Sequence, residues 1–234
     1  MQKHLIITGA SKGIGYATAN HFLAQGWQVS NLSIKTCGLV GVKNYHVDLG
    51  MVETINRCKS ELVSTLQSAA QICLVHNAAG YVQDNVLDLQ QEKLRQMFEI
   101  NVVAPTLLNQ ILLPMMPTGS SIVYIGSTLA EKAIKNSASY VVTKHAMAGL
   151  MKATCQDLFA KNIHTCCVCP GFTNTEMLQA RFIEEPQAET FITNHIAFGR
   201  LIEPSEIANF IFYCANNPIV NGSMLHVNLG QREY

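Results

Sequence analysis

The sequence predicts an α/β protein of the doubly wound class, with a parallel seven-stranded sheet and helices on both of its faces. Three observations favour this class. Short apolar runs rich in β-branched residues alternate with longer segments of helical period. A glycine-rich turn follows the first apolar run directly, and no linker rich in Pro, Gly or Ser divides the chain. We therefore expect a single domain over residues 1–234, a length at which α/β folds are common as one unit.

The predicted elements follow from these patterns in chain order. Apolar runs predict strands at residues 4–8, 27–32, 44–47, 72–76, 121–126, 163–169 and 224–228. Helical periodicity predicts helices at about residues 13–25, 52–68, 90–113, 139–160 and 204–215, the last with Pro204 in its first turn. Right-handed crossovers between parallel strands place these helices on both faces. Ligands are then expected at the carboxyl ends of the strands.

Composition argues against several classes of partner. Lys and Arg together number 16, and so do Asp and Glu, so no net charge attracts nucleic acid or an anionic membrane. The sequence opens without a basic segment and a long apolar run, and its longest apolar stretch, residues 101–116, is interrupted by proline and amide residues. We expect a cytoplasmic protein with no nucleic-acid or membrane partner.

The eight cysteines are interpreted as small apolar residues in a reducing compartment. Cys166, Cys167 and Cys169 share one predicted strand, in which alternation sends neighbouring side chains to opposite faces. No cluster of histidines has zinc-binding spacing. We therefore predict no metal site.

The first predicted strand leads directly into a glycine-rich turn that opens a helix. The turn reads Thr8-Gly9-Ala10-Ser11-Lys12-Gly13-Ile14-Gly15. Glycine permits a tight turn and a close approach of the backbone to a ligand. The helix N-terminus adds unpaired N–H groups and the positive end of the helix dipole. The combination indicates a pyrophosphate site of a dinucleotide, although a strand-to-helix turn can also need glycine for local reasons.

The end of the second predicted strand bears on the choice between NAD and NADP. NAD sites place an acid there to bind the adenosine ribose, whereas this chain has Ser33-Ile34-Lys35. Lys12 and Lys35 would neutralise a 2′-phosphate, with Ser33 as an added donor; either lysine can instead be a solvated surface charge. We predict NADP(H) as the cofactor, with NAD(H) as the alternative.

A hydroxyl, a phenol and an ammonium group are the predicted catalytic set. Tyr140 and Lys144 lie four residues apart in a predicted helix, which stacks both side chains on one helical face. Ser127 lies at the carboxyl end of the preceding strand, on the ligand-binding edge. The three groups predict a proton-delivery site beside the phosphate-binding loop, and the alternative for Tyr140 and Lys144 is a surface helical pair.

With these residues the sequence resembles the short-chain dehydrogenase/reductase family, in its shorter branch with a single Rossmann-type domain. The resemblance covers essentially the whole chain and depends on the order and spacing of its motifs. They are the glycine loop at 8–15, Asp48, His76-Asn77-Ala78-Ala79-Gly80, Asn101, Ser127, Tyr140, Lys144 and Pro170-Gly171-Phe172-Thr173-Asn174-Thr175. Segments 170–175, 198–204 and 222–228 are similar to the 3-oxoacyl-acyl-carrier-protein reductase subgroup.

The resemblance implies an oxidoreductase that interconverts a carbonyl and an alcohol by hydride transfer. Tyr140 would be the acid in reduction and the base in oxidation, with Lys144 stabilising the phenolate and binding the nicotinamide ribose. Ser127 would orient the substrate oxygen, and Asn101 would hold a water linked to Lys144. The full set of predicted cofactor contacts is Gly9, Ser11, Lys12, Gly13, Ile14, Gly15, Ser33, Lys35, Asp48, Leu49, Asn77, Ala78, Ala79, Gly80, Tyr140, Lys144, Pro170, Gly171, Thr173 and Thr175.

Other interpretations of the same residues stay open at this point. Asp48 can be a helix N-cap, Asn101 a buried structural amide, and Pro170-Gly171 a strand terminator. The alternative function is a catalytically silent NADP-binding sensor or scaffold of the same fold. The resemblance further implies a homodimer or homotetramer built from the two long helices.

Two departures from the family pattern bear on the site. His76 stands where the family has the first Asn of an Asn-Asn-Ala-Gly stretch, and we assign it no chemical role. The predicted substrate lid, residues 172–200, carries four acids that we expect on a solvated helix face. These acids are Glu176, Glu184, Glu185 and Glu189.

Overall fold

The elements of the computed structural model, which describes residues 2–185 and 187–232, alternate as predicted. The strands are β1 (Gln2–Thr8), β2 (Gln28–Ser33), β3 (Val42–His46), β4 (Ala69–His76), β5 (Ser121–Ile125), β6 (His164–Pro170) and β7 (Met224–Val227). The α-helices are α1 (Gly13–Ala24), α2 (Val52–Leu66), α3 (Gln91–Phe98), α4 (Ala104–Leu112), α5 (Ala138–Asp157), α6 (Glu176–Glu184), α7 (Gln187–Asn194) and α8 (Pro204–Asn216). Residues 1, 233 and 234 of the predicted domain, and position 186 of the predicted lid, lie outside the described residues.

The strands of the described residues form one parallel sheet in the order β3-β2-β1-β4-β5-β6-β7. From β1 the chain proceeds outward to β2 and β3, then returns to the other side of β1 with β4. This reversal makes the carboxyl ends of β1 and β4 the switch point of the sheet, where doubly wound folds bind their ligands. The predicted fold class is confirmed.

The core consists of two apolar layers, one on each face of the sheet. Leu5 and Ile7 of β1 point into one layer and Ile6 into the other, as strand alternation requires. The layer that contains Ile6 is covered by α2, α4 and α5. The opposite layer is covered by α1 and α8, and there Phe22 makes edge contacts with Trp27 and Phe212 at centroid distances of 5.0 Å. Burial of these side chains fixes both helical layers on the sheet.

The predicted helix at 90–113 is interrupted in the structure. A π-helical turn, Glu99–Val103, separates α3 from α4. Pro105 has no amide proton, so it cannot donate to the carbonyl of Asn101, its partner in a regular α-helix. The Ala104 amide instead donates to the carbonyl of Glu99, five residues earlier. The turn therefore interrupts the regular hydrogen-bond ladder at Asn101.

The cysteines follow the predicted alternation across the sheet. Cys167 and Cys169 belong to the layer under α5, and Cys166 belongs to the opposite layer. The Sγ atoms of Cys167 and Cys169 lie 3.7 Å apart, and all eight cysteines are described and free of disulfides. Burial raises the pKa of the Cys73 thiol to about 12, as expected for an unreactive core cysteine.

Neither a metal-binding group of residues nor a membrane-spanning helix is found in the part of the chain that the structure describes. Among residues 2–185 and 187–232, no group of three or more His, Cys, Asp or Glu residues is arranged to hold a metal ion. In the same residues, no helix combines the length and the apolar character that crossing a bilayer requires.

Replacement of Gly126 by alanine is expected to destabilise the fold. A Cβ at this position would lie 2.6 Å from Cys167 Sγ and 3.0 Å from Cys169 Sγ, both of which are fully buried. Overpacking of this kind lowers the free energy of unfolding by about 1–3 kcal/mol, which urea denaturation measures. Gly149→Ala is the matched control, because nothing lies within 4 Å of its added Cβ. It should stabilise helix α5 by about 0.5–1 kcal/mol, and a G126A variant as stable as G149A would contradict the packing argument.

Candidate active site

The glycine loop lies at the carboxyl end of β1 and enters α1 at Gly13. Gly9 and Gly13 have φ angles of +72° and +55°, a region that favours glycine. A Cβ on Gly15 would lie 2.2 Å from the carbonyl oxygen of Gly9, so only glycine allows the loop to close on the helix. The first amides of α1 consequently face a narrow backbone cradle, which suits an anionic group.

The segment after β4 fastens this loop from the side. The Thr8 hydroxyl accepts hydrogen bonds from the amides of Asn77 and Ala78, both at 3.0 Å. The Asn77 side chain donates to the carbonyls of Thr8 at 2.9 Å and Gly9 at 3.1 Å. The Asn77 amide group is therefore engaged in holding the glycine loop. This leaves the backbone of the 77–80 segment, including Ala79 and Gly80, beside the loop.

The end of β2 carries polar groups and no acid. The Ser33 Oγ accepts a hydrogen bond from the Lys35 amide at 3.3 Å, which leaves the Ser33 hydroxyl proton free to donate. Lys12 and Lys35 are both exposed. Asn31, which the sequence analysis missed, is buried and accepts from the Ala10 amide at 2.9 Å, so β2 also supports the glycine loop.

Asp48 and Leu49 follow β3 and lie before α2. The Asp48 Oδ1 accepts from the Gly50 amide at 2.9 Å, and Met51 is the N-cap residue of α2. The interpretation of Asp48 as the N-cap is therefore wrong, because its carboxylate stabilises a turn three residues earlier. The Leu49 side chain is buried in the core layer under α2 and α4, which leaves its backbone as the group able to face a ligand.

Tyr140 and Lys144 lie in the first two turns of α5, beneath the end of β5. Lys144 is only 2% exposed, which rules out a surface helical pair. Its Nζ donates to the carbonyl of Ile125 at 2.7 Å and lies 5.5 Å from the centroid of the Tyr140 ring. A buried ammonium group needs further polar partners to offset its desolvation. The half-buried Tyr140 phenol is thus held beside a buried positive charge.

Ser127 lies directly after β5 at the same edge of the sheet. Its Oγ accepts a hydrogen bond from the Leu129 amide at 3.1 Å. A hydroxyl that accepts in this way still has its own proton to donate. The structure therefore presents a proton donor with a fixed oxygen position at the mouth of the site.

Asn101 occupies the π-helical turn and is fully buried. Its Oδ1 accepts from the Gly80 amide at 2.8 Å, and its Nδ2 donates to the Gly80 carbonyl at 3.2 Å and to the Thr143 hydroxyl at 2.9 Å. Both amide protons are used, so the interpretation as a buried structural amide describes its side chain. Its main-chain carbonyl, which Pro105 cannot engage, is the group suited to bind a water.

The segment after β6 reaches back to the glycine loop. Gly171 donates its amide to the carbonyl of Val227 at 3.1 Å, and the Thr173 hydroxyl donates to the carbonyl of Gly171 at 3.1 Å. The Thr175 Cγ2 lies 3.2 Å from the position of a Cβ on Gly13. Pro170 is the last residue of β6, so it does end the strand as the simpler interpretation required. This segment closes one side of the crevice.

The predicted lid region contains α6 and α7. Together with Leu201, which follows the region, three of its apolar side chains form a small core of their own, namely Phe182, Ile192 and Ile196. The four glutamates of this region are exposed, as expected for a solvated face. A cavity of about 590 Å³ lies between α1 and α6 and is lined by Gly13 and Thr175 among others. The predicted lid region therefore adjoins the glycine cradle.

Three residues lie near Tyr140 in addition to the predicted catalytic set. The sequence indicates Tyr81 as a pocket wall but does not indicate Thr143 or Asp84. Thr143 links Asn101 to the carbonyl of Tyr140, to which its hydroxyl donates at 3.0 Å. The Tyr81 ring meets the Tyr140 ring edge-on at a centroid distance of 5.3 Å. Asp84 is buried against the start of α5. The available signal was weak: a polar residue between Tyr140 and Lys144, and an acid shortly after Gly80.

His76 belongs to a buried polar network next to the site. Its Nε2 lies 2.8 Å from the Asn109 Oδ1, and the Asn109 Nδ2 donates to the Tyr124 hydroxyl at 2.6 Å. Burial lowers the pKa of His76 from 6.5 to about 4, so the imidazole is neutral near pH 7. The network joins β4, α4 and β5.

Comparisons with protein families and with solved structures identify proteins similar to this chain. A family model described as enoyl-(acyl carrier protein) reductase matches residues 9–232. Protein FixR of Bradyrhizobium diazoefficiens is 29% identical, with 98% of this chain and 86% of the relative covered. The 3-oxoacyl-[acyl-carrier-protein] reductase FabG of Vibrio cholerae is 26% identical, with 97% and 96% covered. The structure of 4-hydroxyisoleucine dehydrogenase complexed with NADH is 25% identical, with a TM-score of 0.88 and 98% of both chains covered.

The parallel sheet, the glycine cradle and the half-buried Tyr140 beside the buried Lys144 define a dinucleotide-fold oxidoreductase. Because the family model matches almost the entire length, the chain belongs to the short-chain dehydrogenase/reductase family. The predicted similarity to 3-oxoacyl-acyl-carrier-protein reductases is also confirmed.

The depressed pKa of His76 predicts a loss of stability on acidification. The unfolded chain binds a proton near pH 6.5, whereas folded His76 binds it only near pH 4. The free energy of unfolding therefore falls as the pH drops from 6.5 to 4, by roughly 3 kcal/mol from this residue. His76→Asn should flatten the fall, as measured by urea denaturation across this pH range.

A residual slope is expected in this variant, because burial also lowers the pKa of His4 to about 4. His145→Asn, on the exposed side of α5, is the control and should keep the wild-type slope. An H76N protein as acid-sensitive as the wild type would contradict the assignment of this slope to His76.

Proposed function

We propose that the protein is an NADP(H)-dependent oxidoreductase that interconverts a carbonyl and an alcohol, with Tyr140 as the acid and base. One observation carries the proposal: the almost fully buried Lys144 ammonium lies beside the Tyr140 ring at the ligand-binding edge of the sheet. A buried charge with one strong hydrogen bond to the protein is costly unless a ligand supplies further partners. The hydroxyls of a nicotinamide ribose meet this need.

The residues present fit a nicotinamide dinucleotide. The Gly9–Gly15 contact leaves no space for a side chain, so backbone amides of α1 would meet the pyrophosphate directly. Ser11, Gly13 and Ile14 would bind its phosphates, with Thr175 on the opposite side of the crevice, and Lys12 would face the 2′-phosphate of NADP(H). The adenosine would lie along Ser33, Asp48, Leu49 and the 77–80 backbone, and the nicotinamide would lie against Pro170, Gly171 and Thr173. These assignments rest on position at the sheet edge and on the family resemblance.

The chemistry that a bound nicotinamide supplies is the hydride, and the proton comes from this chain. During reduction, the Tyr140 phenol donates its proton to the carbonyl oxygen as that oxygen gains the electron pair. The Lys144 cation stabilises the phenolate that remains. Ser127 donates its hydroxyl proton in a hydrogen bond to the same oxygen and fixes its position, since its own oxygen is held by the Leu129 amide.

Asn101 would connect this site to solvent protons. Its side chain is saturated by Gly80 and Thr143, so its contribution is the main-chain carbonyl at the π-helical turn. A water on this carbonyl would hydrogen-bond to the Lys144 ammonium and return a proton towards Tyr140 after each turnover. Asn101 thereby acts through its backbone, and its side chain fixes the turn.

The polar end of β2 favours NADP(H) over NAD(H). Ser33 has a hydroxyl proton to donate, and Lys12 and Lys35 are exposed cations at the same edge, so a 2′-phosphate would be neutralised there. An acid at this position would repel that phosphate. The structural neighbour with bound NADH supports a nicotinamide dinucleotide and keeps NAD(H) as the alternative cofactor.

Further proposals concern the domain organisation, the substrate pocket, the oligomeric state and the location of the protein. We place the chain in one dinucleotide-binding domain, with residues 172–200 as a lid over a small carbonyl or alcohol substrate. The apolar groups Tyr81, Leu129 and Phe172 would form walls of its pocket. A homodimer or homotetramer is proposed from the family resemblance, and a cytoplasmic location from the eight free thiols, which fit a reducing compartment.

Tyr140→Phe is expected to abolish turnover while NADPH binding is retained. Loss of a general acid typically costs a factor of about 100 to 10,000 in rate. NADPH oxidation is measured by absorbance against ketones, aldehydes, quinones and β-ketoacyl thioesters, and NADPH binding by fluorescence titration. Tyr213→Phe, on the exposed side of α8, is the matched control and should keep wild-type activity.

Two outcomes of this experiment would contradict the proposal. Undiminished activity of Y140F would exclude Tyr140 as the acid. A wild-type protein that binds NADPH and reduces none of these carbonyls would instead be a sensor or scaffold.

Lys12→Ala is expected to weaken the binding of NADPH but not that of NADH. Removal of a charge-assisted contact to a phosphate typically costs about 1.5–3 kcal/mol, or roughly ten- to a hundredfold in affinity. The KM for NADPH should rise by that factor while the KM for NADH changes little. Ser33→Asp should move the preference towards NADH by repulsion of the 2′-phosphate. Lys152→Ala, an exposed lysine of α5, is the control, and a wild-type preference for NADH would overturn the cofactor assignment.

A further inference from the structure

The loop formed by residues 80–84 contacts both the π-helical turn that carries Asn101 and the helix α5 that carries Tyr140. At its beginning, the backbone of Gly80 exchanges hydrogen bonds with the Asn101 amide, at 2.8 and 3.2 Å. In its middle, the Tyr81 ring contacts the Tyr140 ring. At its end, Asp84 meets the first residues of α5. We call residues 80–84 the bridging loop.

Asp84 makes the most extensive of these contacts. Its carboxylate accepts hydrogen bonds from the Ser139 amide at 3.0 Å and from the Ser139 hydroxyl. Its carbonyl accepts from the Ala138 amide at 3.2 Å, and its backbone forms a bridge with Ser137. Asp84 is 8% exposed, and Ser137 and Ser139 are buried. The two hydrogen bonds from Ser139 hold the carboxylate in place.

Helix α5 depends on this carboxylate because it has no local cap. Ser137 is the N-cap residue of α5, yet its side chain makes no capping hydrogen bond. Serine at this position usually accepts from an amide of the first turn. Here that amide, on Ser139, bonds to the carboxylate of a residue 55 positions earlier. Asp84 therefore caps the helix from outside and also complements the positive end of its dipole.

We infer that Asp84 is a positioning residue for Tyr140. Tyr140 directly follows Ser139, so the carboxylate that fixes Ser139 also fixes the starting point of the tyrosine side chain. The opposite boundary is fixed by Thr143, whose hydroxyl donates to the Tyr140 carbonyl while it accepts from Asn101. Displacement of a reacting group by about 1 Å can cost a hundredfold in rate. The inference rests on the proposed function in one respect, namely that Tyr140 is the proton donor.

The test compares Asp84→Ala with Asp84→Asn in the full-length protein. D84A removes both acceptors of Ser139, and kcat should fall ten- to a hundredfold, while the KM and the dissociation constant for NADPH change less than twofold. D84N keeps an acceptor for the Ser139 amide and offers its own amide to the Ser139 hydroxyl. Its kcat should recover to within about threefold of the wild type. Rescue by the conservative variant separates positioning from a need for the carboxylate charge.

A matched control separates positioning from general stability. Glu206 in the first turn of α8 also caps a helix and bonds Arg200 at 2.7 Å, but it lies outside the proposed machinery. Glu206→Gln should lower the melting temperature and leave kcat unchanged. If D84A, like E206Q, had a lower melting temperature but kept the wild-type kcat per folded molecule, the role of Asp84 would be structural and the inference would fail.

Hydrogen exchange supplies a readout that does not need turnover. In D84A the amides of the first turn of α5 should exchange at least tenfold faster, whereas those of its last turns should be unchanged. D84N should exchange like the wild type. Unchanged exchange in D84A would overturn the inference even in an active enzyme. Faster exchange in D84A, together with a wild-type protein that reduces no carbonyl, would instead reject the proposed function and leave the capping role in place.

Discussion

The hydrogen bonds between Thr8 and Asn77 hold together the two strand ends on which the site is built. The chain leaves β1 towards β2 on one side and returns to β4 on the other side, so a crevice opens between the segments that follow β1 and β4. These two segments are far apart in the sequence. The Thr8 hydroxyl binds two amides of the β4 segment, and the Asn77 side chain binds two carbonyls of the β1 segment. The glycine cradle can remain free of side chains because its position is fixed by these polar contacts.

A second constraint is the placement of a positive charge inside the protein. Lys144 is buried beneath β5, with the Ile125 carbonyl as its strong partner among the described residues. In a low-dielectric setting such a charge acts strongly on a phenol at short range. The energetic cost is met by the well-packed sheet and by α5, whose inner face buries Met147 and Met151 in the core. Stability of the fold thus supports a local arrangement that would be unfavourable in isolation.

The sequence predicted the parts of the site that are local in the chain. The glycines at 9, 13 and 15, and the four-residue spacing of Tyr140 and Lys144, specify their geometry through one turn and one helix. The engagement of Asn77 by the glycine loop joins residues 69 positions apart, and the Asp84–Ser139 contact joins residues 55 apart. Such contacts depend on the tertiary fold, so periodicity and spacing contain no record of them. Pro105 lies between these two cases. Its position four residues after Asn101 indicated an interrupted helix, although the hydrogen bonds that stabilise the interruption depend on the tertiary fold.

The interruption at Asn101 shows how one irregularity serves two neighbouring elements. A regular helix over 90–113 would engage the Asn101 carbonyl in its ladder, and the proline at 105 prevents this. The Asn101 side chain then stabilises the turn by binding the Gly80 backbone and Thr143. Thr143 lies on α5 between Tyr140 and Lys144, so the irregular helix and α5 share one hydrogen-bond network. Thr143 directly precedes Lys144 and donates to the Tyr140 carbonyl, so the irregular turn is hydrogen-bonded to the segment that carries both residues.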